Sequence, residues 1–132
     1  MAIRARKPIV FVVEDDESVR TSLGRLIRSE GFEARLFESP QRFLDEVTSL
    51  PAACVVLDIT MPHVSGLDVQ NRLKERGIHI PVIIVSARDD DATRREAKQF
   101  GAKFFFRKPV DERTLVDAID WAVNSGSDET TD

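Results

Sequence analysis

The protein has 132 residues, of which 19 are basic and 23 acidic, giving a net charge of −4. This length suits one domain with its own core, and the single cysteine, Cys54, excludes a disulfide within the chain. No stretch approaches the ~18 apolar residues of a membrane-spanning helix, and the mildly acidic balance argues against direct nucleic-acid binding.

Five short apolar runs recur along the chain and predict five β-strands. They cover residues 9–13, 33–37, 53–57, 82–85 and 103–106. Most are continuous and rich in Val, Ile and Phe, which is typical of parallel strands that are buried on both faces. Cys54 falls inside the third run, where we expect a small buried hydrophobe. With no signal-peptide pattern, a reducing cytoplasm is the expected location.

Apolar residues with helical spacing lie between the strands and indicate five amphipathic helices. In chain order the inward stripes are Val19, Leu23, Leu26 and Ile27; Phe43, Leu44 and Val47; Val69 and Leu73; Ala92, Glu96, Ala97 and Phe100; and Leu115, Ala118, Ile119, Ala122 and Val123. Ser39-Pro40 opens the second helix, and glycines at positions 31, 77, 101 and 126 mark the ends of the others.

Strand and helix alternate five times, which predicts an α/β fold with a doubly wound, five-stranded parallel sheet. Because the crossover connections between parallel strands are right-handed, few sheet topologies are possible. The strand order 2-1-3-4-5 is one of the two common ones. We expect one domain over residues 8–125, an N-terminal extension over residues 1–7, and a flexible tail or the start of a linker over residues 126–132.

Acidic residues follow two of the predicted strands at the point where each strand ends. Glu14, Asp15 and Asp16 come after the first strand, and Asp58 follows the third. The order 2-1-3-4-5 makes these strands neighbours, so Glu14, Asp15 and Asp58 should converge. Carboxylates in one crevice repel each other unless a cation joins them, and Mg²⁺ prefers such oxygen ligands. Asp16, by contrast, can simply cap the helix that begins near Glu17.

Ser86 ends the fourth strand and Lys108 follows the fifth, so a hydroxyl and an ammonium should join the carboxylates. A serine, a lysine and a divalent ion around one aspartate are typical of phosphoryl transfer. Asp58 is the expected nucleophile, because it lies centrally and a carboxylate can form an aspartyl phosphate.

The chain resembles the receiver domains of two-component response regulators, which have the CheY-like, flavodoxin-like (βα)5 fold, over nearly its whole length. The motifs that carry the resemblance are Val12-Val13-Glu14-Asp15-Asp16, Leu57-Asp58-Ile59-Thr60-Met61-Pro62, Ser65-Gly66, Ser86-Ala87 and Lys108-Pro109. Ser18-Val19-Arg20 and the run from Gly101 to Phe105 lean toward the FixJ-type subfamily.

The resemblance implies that Asp58 accepts a phosphoryl group from a sensor histidine kinase or a histidine phosphotransfer protein. Asp15 and Asp58 would ligate Mg²⁺ together with the backbone carbonyl of Thr60. Glu14 would also hold the ion, although family members often carry Asp at its position. Lys108 would pair with the phosphoryl oxygens.

The resemblance also implies a switch in which Ser86 moves to the phosphoryl group and an aromatic residue, here Phe105, follows. Strand alternation places Phe105 on the face opposite Phe104 and Phe106. A plain core role for Phe105 is the alternative interpretation. The Lys108–Pro109 peptide bond would be cis, as in much of the family.

A partner surface is expected on the fourth helix, fifth strand and fifth helix. Trp121 lies off the inward stripe of the fifth helix, and Arg94, Arg95 and Lys98 share the outer side of the fourth. They form either an ordinary solvated face or, since Trp is enriched in interfaces, a homodimer contact favoured by phosphorylation.

Three functions compete. The leading one is a phospho-accepting signalling switch that assists its own phosphorylation and dephosphorylation but is no enzyme in the usual sense. It would be a stand-alone receiver or the N-terminal part of a transcriptional regulator. The second is a Mg²⁺-dependent phosphohydrolase with an aspartyl-phosphate intermediate, although such enzymes require an aspartate at the position where this chain has Thr60. The third, a receiver-like domain that only binds partners, conflicts with the complete set of acidic residues, Ser86 and Lys108.

Overall fold

Strands and helices alternate along the part of the chain that the computed structural model describes: residues 7–48, 50, 52–60, 66–88, 90–99 and 101–128. The strands are β1 (Ile9–Val13), β2 (Glu33–Phe37), β3 (Ala53–Asp58), β4 (Val82–Ser86) and β5 (Phe104–Arg107). The helices are α1 (Glu17–Ser29), α2 (Pro40–Glu46), α3 (Gly66–Glu75), α4 (Asp91–Gln99) and α5 (Glu112–Asp128). Every predicted strand is confirmed, with its ends within one residue of the prediction. Motif residues 61–62 and 65 lie outside the described part.

The five strands form one parallel sheet in the order β2-β1-β3-β4-β5, which confirms the predicted topology. The register brings the carboxyl ends of the inner strands level with each other. Asp58 lies beside Val85, and Ser86 lies beside Arg107, one residue before Lys108. Polar residues that follow different strands therefore meet at one edge of the sheet.

Both faces of the sheet are covered, which explains why the strands are continuously apolar rather than alternating. On one face, Phe11, Phe37 and Phe43 pack with ring centroids 5.6 to 6.1 Å apart, in a core shared with α2, α3 and α4. On the other face, α1 and α5 bury side chains such as Ile27 and Ile119.

The predicted inward stripes of α2, α3 and α5 are buried as expected. Cys54 is fully buried in β3, and burial raises the pKa of its thiol to about 12. It is thus the small core residue that its sequence context indicates. Among the described residues, no helix combines the length and the apolar character that crossing a membrane requires.

The first helix shows how local sequence sets its ends. The carboxylate of Asp16 accepts a hydrogen bond of 3.0 Å from the backbone N–H of Val19, and α1 begins at the next residue, Glu17. The cap anticipated for Asp16 is therefore confirmed. After α1, Gly31 adopts a φ of +95°, a left-handed conformation that glycine tolerates best.

Two details of the helices differ from the sequence pattern. In α4, Ala97 is buried as predicted, but Ala92 and Glu96 of the predicted stripe are exposed and Thr93 is buried in their place. This helix has few apolar side chains from which a stripe could be predicted, and Phe100 lies outside the described residues. In α5 the backbone stays helical to Asp128, past the stop expected at Gly126, because a single helical glycine costs only about 1 kcal/mol.

The first helix also departs from its predicted stripe at its start. Ile27 is fully buried, Leu23 and Leu26 are partly buried, and Val19 is 36% exposed at the edge of the stripe. The helix turns this edge toward the loop that follows β5, where the two elements leave a cavity rather than a closed contact.

Candidate functional site

Three carboxylates gather at the carboxyl edge of the sheet. Glu14 directly follows β1 and Asp58 is the last residue of β3; both are almost fully buried, whereas the neighbouring Asp15 is exposed. One oxygen from each of the three lies within 4.8 Å of the others. The strand order thus brings together the acids that the sequence placed in one crevice.

Lys108 is the cation that allows two buried carboxylates to lie side by side. Its Nζ donates to Oε1 of Glu14 at 2.9 Å and to Oδ2 of Asp58 at 2.8 Å. One ammonium offsets the repulsion between the two acids, but together with Asp15 the cluster keeps an excess of negative charge.

Both oxygens of Asp58 are held by hydrogen bonds. While Oδ2 faces Lys108, Oδ1 accepts from the backbone N–H of Thr60 at 2.8 Å and from the Thr60 hydroxyl. Burial alone would raise the pKa of Asp58, but the bonds from Lys108 and Thr60 outweigh it and lower the pKa below its ordinary value. Asp58 is therefore an ionised carboxylate in a fixed orientation at neutral pH.

In Glu14 the effects of burial and of hydrogen bonds on the pKa combine differently. Burial raises the pKa of its carboxyl, and the bonds from Lys108 and from the backbone N–H of Asp16, at 3.2 Å, only partly oppose this. For Lys108, burial would lower the pKa, but the bonds to Asp58 and Glu14 raise it overall, so the ammonium keeps its charge. Of the two buried acids, Asp58 is the one whose pKa is lowered.

Ser86, at the end of β4, is fully buried beside this cluster. Its Oγ accepts from the backbone N–H of Arg88 at 2.9 Å, and its carbonyl accepts from the backbone N–H of Lys108 at 2.8 Å. Ser86, Thr60 and Thr93 are among the residues lining a cavity of about 520 Å³ between the strand ends and α4. The cavity leaves room beside the hydroxyl for a group larger than a water molecule.

Phe105 lies on the same face of the sheet as Ser86, because it pairs with Ile84, two residues before Ser86. Its ring is partly buried in the core on that face. Phe104 and Phe106 stack on the opposite face at 5.8 Å, which confirms the predicted alternation. The Lys108–Pro109 bond is cis, as the resemblance implied.

Two arginines make contacts that the sequence pattern did not indicate, one with the acidic loop after β1 and one with the ring of Phe105. Arg20 in α1 donates to the backbone carbonyls of Glu14 and Asp15, and the guanidinium of Arg94 in α4 lies over the ring of Phe105. The position of Arg20, one helical turn beyond the acidic run, is the only sequence signal for its contact.

The fold and this edge together define a CheY-like receiver: a parallel sheet with acids, a hydroxyl and a lysine at its carboxyl end. The chain belongs to the family of response regulator receiver domains of two-component systems, whose model matches residues 10–120. This confirms the resemblance and the fold class that the motifs predicted.

Individual relatives agree with this assignment. The response regulator protein TmoT of Ectopseudomonas mendocina is 40% identical over 114 residues, covering 86% of this chain and 52% of the relative. The structure of the response regulator StyR has a TM-score of 0.85 and 36% identity, with 96% of this chain and 64% of that chain covered. The structure of full-length FixJ from B. japonicum has a TM-score of 0.82 and 33% identity, with 92% of this chain and 60% of that chain covered. The chain thus spans about half the length of the curated relatives it matches.

Proposed function

We propose that Asp58 is the phospho-acceptor of this receiver and takes its phosphoryl group from the phosphohistidine of a sensor kinase or a histidine phosphotransfer protein. The observation that carries the proposal is the state of Asp58: a buried carboxylate kept ionised and oriented by Lys108 and Thr60. A carboxylate attacks phosphorus only in its charged form.

In the transfer, an oxygen of Asp58 forms a bond to phosphorus as the bond from phosphorus to the histidine nitrogen breaks. The electron pair of the broken bond leaves with the imidazole. Lys108 already contacts Oδ2 of Asp58 and would pair with the incoming phosphoryl oxygens. Glu14, on the other side of the same ammonium, would keep Lys108 in place.

The donor set fits a magnesium ion. Three carboxylates within 4.8 Å of one another, two of them buried and sharing one ammonium, offer hard oxygen ligands and excess negative charge. Asp15, Asp58 and the carbonyl of Thr60 would ligate the ion, and Glu14 would help to hold it. A bound ion supplies positive charge to the phosphoryl oxygens during transfer.

Ser86 and Phe105 would carry the response to phosphorylation. A phosphoryl group adds about −1.5 to −2 charges and strong acceptor oxygens. The Ser86 hydroxyl, which now accepts from the backbone N–H of Arg88, would donate to one of these oxygens and draw the end of β4 toward Asp58. Phe105, on the same face, would follow into the space that opens.

The outer surface of α4, β5 and α5 supports a homodimer favoured by phosphorylation. Trp121 is 50% exposed, and its ring meets Phe104 edge to face at 5.4 Å. Arg94, Arg95 and Lys98 are exposed on α4 and would form the polar rim of such a contact.

The receiver would act in the cytoplasm, alone or as the regulatory part of a longer transcriptional regulator, without binding nucleic acid itself.

A phosphohydrolase is the less favoured alternative. Thr60, two residues after Asp58, donates to Asp58 through its N–H and its hydroxyl, and it has no carboxyl that could protonate a leaving group. Steady turnover of p-nitrophenyl phosphate would support the phosphohydrolase; its absence would support a switch.

The proposal is tested by labelling with acetyl phosphate in the presence of Mg²⁺, followed by intact mass measurement. We expect one phosphoryl group on the wild-type protein, none with EDTA and none on Asp58→Asn. Asp117→Asn, which removes an exposed carboxylate from α5, is the matched control and should label like the wild type. Undiminished labelling of Asp58→Asn would contradict the assignment.

A further inference from the structure

We propose that Arg20 is a positioning residue for the cation site: it fixes the backbone of the acidic loop so that the loop presents its carboxylates to a divalent ion. The proposal rests on the Mg²⁺-dependent function above and adds a residue to its machinery. It concerns the loop of residues 14–16, which joins β1 to α1.

The contacts run from one guanidinium nitrogen to two successive carbonyls. Nη1 of Arg20 donates to the carbonyl of Glu14 at 2.9 Å and to that of Asp15 at 3.3 Å. The Arg20 side chain is partly buried against the loop, one turn into α1. The contacts therefore join the helix to the backbone of both acidic residues.

The loop needs such a contact because its side chains are not all held. The Glu14 carboxylate is bound on both oxygens, by Lys108 and by the N–H of Asp16. The Asp16 carboxylate caps α1. No hydrogen bond to the Asp15 carboxylate is present within the described part of the chain, so its direction depends on the backbone that Arg20 holds.

The positive charge of Arg20 and its contacts with the loop have opposite effects on the affinity of the site for a cation. A positive charge near the site repels a cation and weakens its binding, whereas a fixed loop avoids the entropy cost of ordering Asp15 when the ion arrives. Arg20→Lys separates the two effects, because lysine keeps the charge but its ammonium lies one bond short of the Nη1 position that meets both carbonyls.

The chain offers a matched control on the same helix. Arg25 is exposed in α1, and the structure shows no hydrogen bond from its side chain to another described residue. Arg25→Lys therefore makes the same chemical change away from the acidic loop.

The experiment compares wild type, Arg20→Lys and Arg25→Lys. Calorimetric titration measures Mg²⁺ binding, and ¹⁵N relaxation of the metal-free proteins measures motion of the Glu14, Asp15 and Asp16 amides. We expect Arg20→Lys to bind Mg²⁺ about fivefold more weakly, the worth of one ordinary hydrogen bond. Its loop amides should be more mobile, and its melting temperature should fall by no more than the few degrees that one lost hydrogen bond causes. Arg25→Lys should match the wild type in all three measurements.

Each other outcome overturns the proposal in a recognisable way. If Arg20→Lys binds Mg²⁺ like the wild type with an equally rigid loop, Arg20 does not position the site, although Asp58 can still be the phospho-acceptor. If weaker binding comes with a loop as rigid as in the wild type and a melting temperature lowered by more than a few degrees, the residue is merely structural. If the wild type binds no Mg²⁺, the proposed function fails together with the inference.

Discussion

The guanidinium of Arg94 lies over the ring of Phe105, with 4.8 Å between Cζ and the ring centroid. The contact joins α4 to β5 on the face of the sheet that also carries Ser86. A phenylalanine has no hydroxyl that could anchor the ring to solvent-exposed groups. In this protein the cation of Arg94 covers the ring instead, and a movement of Phe105 toward Asp58 would break that contact.

Arg94→Met should therefore favour the activated state. A cation–π contact at an exposed site contributes about 0.5–1 kcal/mol, so we expect beryllofluoride, a phosphate mimic, to bind about two- to fivefold more tightly to the variant. NMR titration with Mg²⁺ present measures the affinity. Arg95→Met, the adjacent exposed arginine, is the control and should bind like the wild type. Equal affinities for the two variants would show that Arg94 does not restrain Phe105.

Lys108→Met should destabilise the fold at neutral pH. The substitution leaves Glu14 and Asp58 buried next to each other without their shared cation, a loss of about 2–4 kcal/mol. The raised pKa of Glu14 would rise further, and a carboxyl whose folded pKa is raised contributes less stability as pH increases through its unfolded pKa. The deficit should thus be larger at pH 7 than at pH 4.5.

Urea denaturation of Lys108→Met at both pH values, with and without Mg²⁺, measures this effect. Added Mg²⁺ should restore part of the lost stability, because it binds the folded carboxylates and not the unfolded chain. Lys103→Met, at an exposed lysine just before β5, controls for the loss of one positive charge. An equal deficit at the two pH values would contradict the role of Lys108 as the shared counter-charge.

Phosphorylation should convert the monomer into a dimer through the surface that carries Trp121. Sedimentation with and without beryllofluoride measures the change. Trp121→Ala should weaken the activated dimer by about 2 kcal/mol, the loss typical of an interface hot spot. Val19→Ala removes an exposed apolar side chain from α1, an element outside α4, β5 and α5, and should dimerise normally. A monomer that persists at high concentration with beryllofluoride would remove the dimer proposal.

The strands were predictable because burial on both faces produces continuous apolar runs such as Ile9–Val13. Their order was predictable because right-handed crossovers leave few topologies, of which 2-1-3-4-5 is a common one. The convergence of Glu14, Asp15 and Asp58 followed from the strand order alone, since strand ends share an edge of the sheet. The fold and the composition of the site are thus encoded locally, in runs of a few residues each.

The contacts of long side chains were not predictable in the same way. Whether Arg94 meets solvent or the ring of Phe105 depends on the rotation of α4 over the sheet, and the apolar pattern of that helix misplaces its buried face. Arg20 likewise reaches backbone carbonyls, which carry no signature in the sequence. Such contacts require the packed structure.

Chemical trapping of the acyl phosphate would identify the acceptor residue itself. The protein is phosphorylated with acetyl phosphate and Mg²⁺ and then reduced with borohydride, which converts a phosphorylated aspartate into homoserine; peptide mass mapping finds its position. We expect homoserine at position 58 alone, and none when acetyl phosphate is omitted. A reduced residue at position 14 or 15, or phosphate incorporation with no homoserine at position 58, would contradict the role of Asp58.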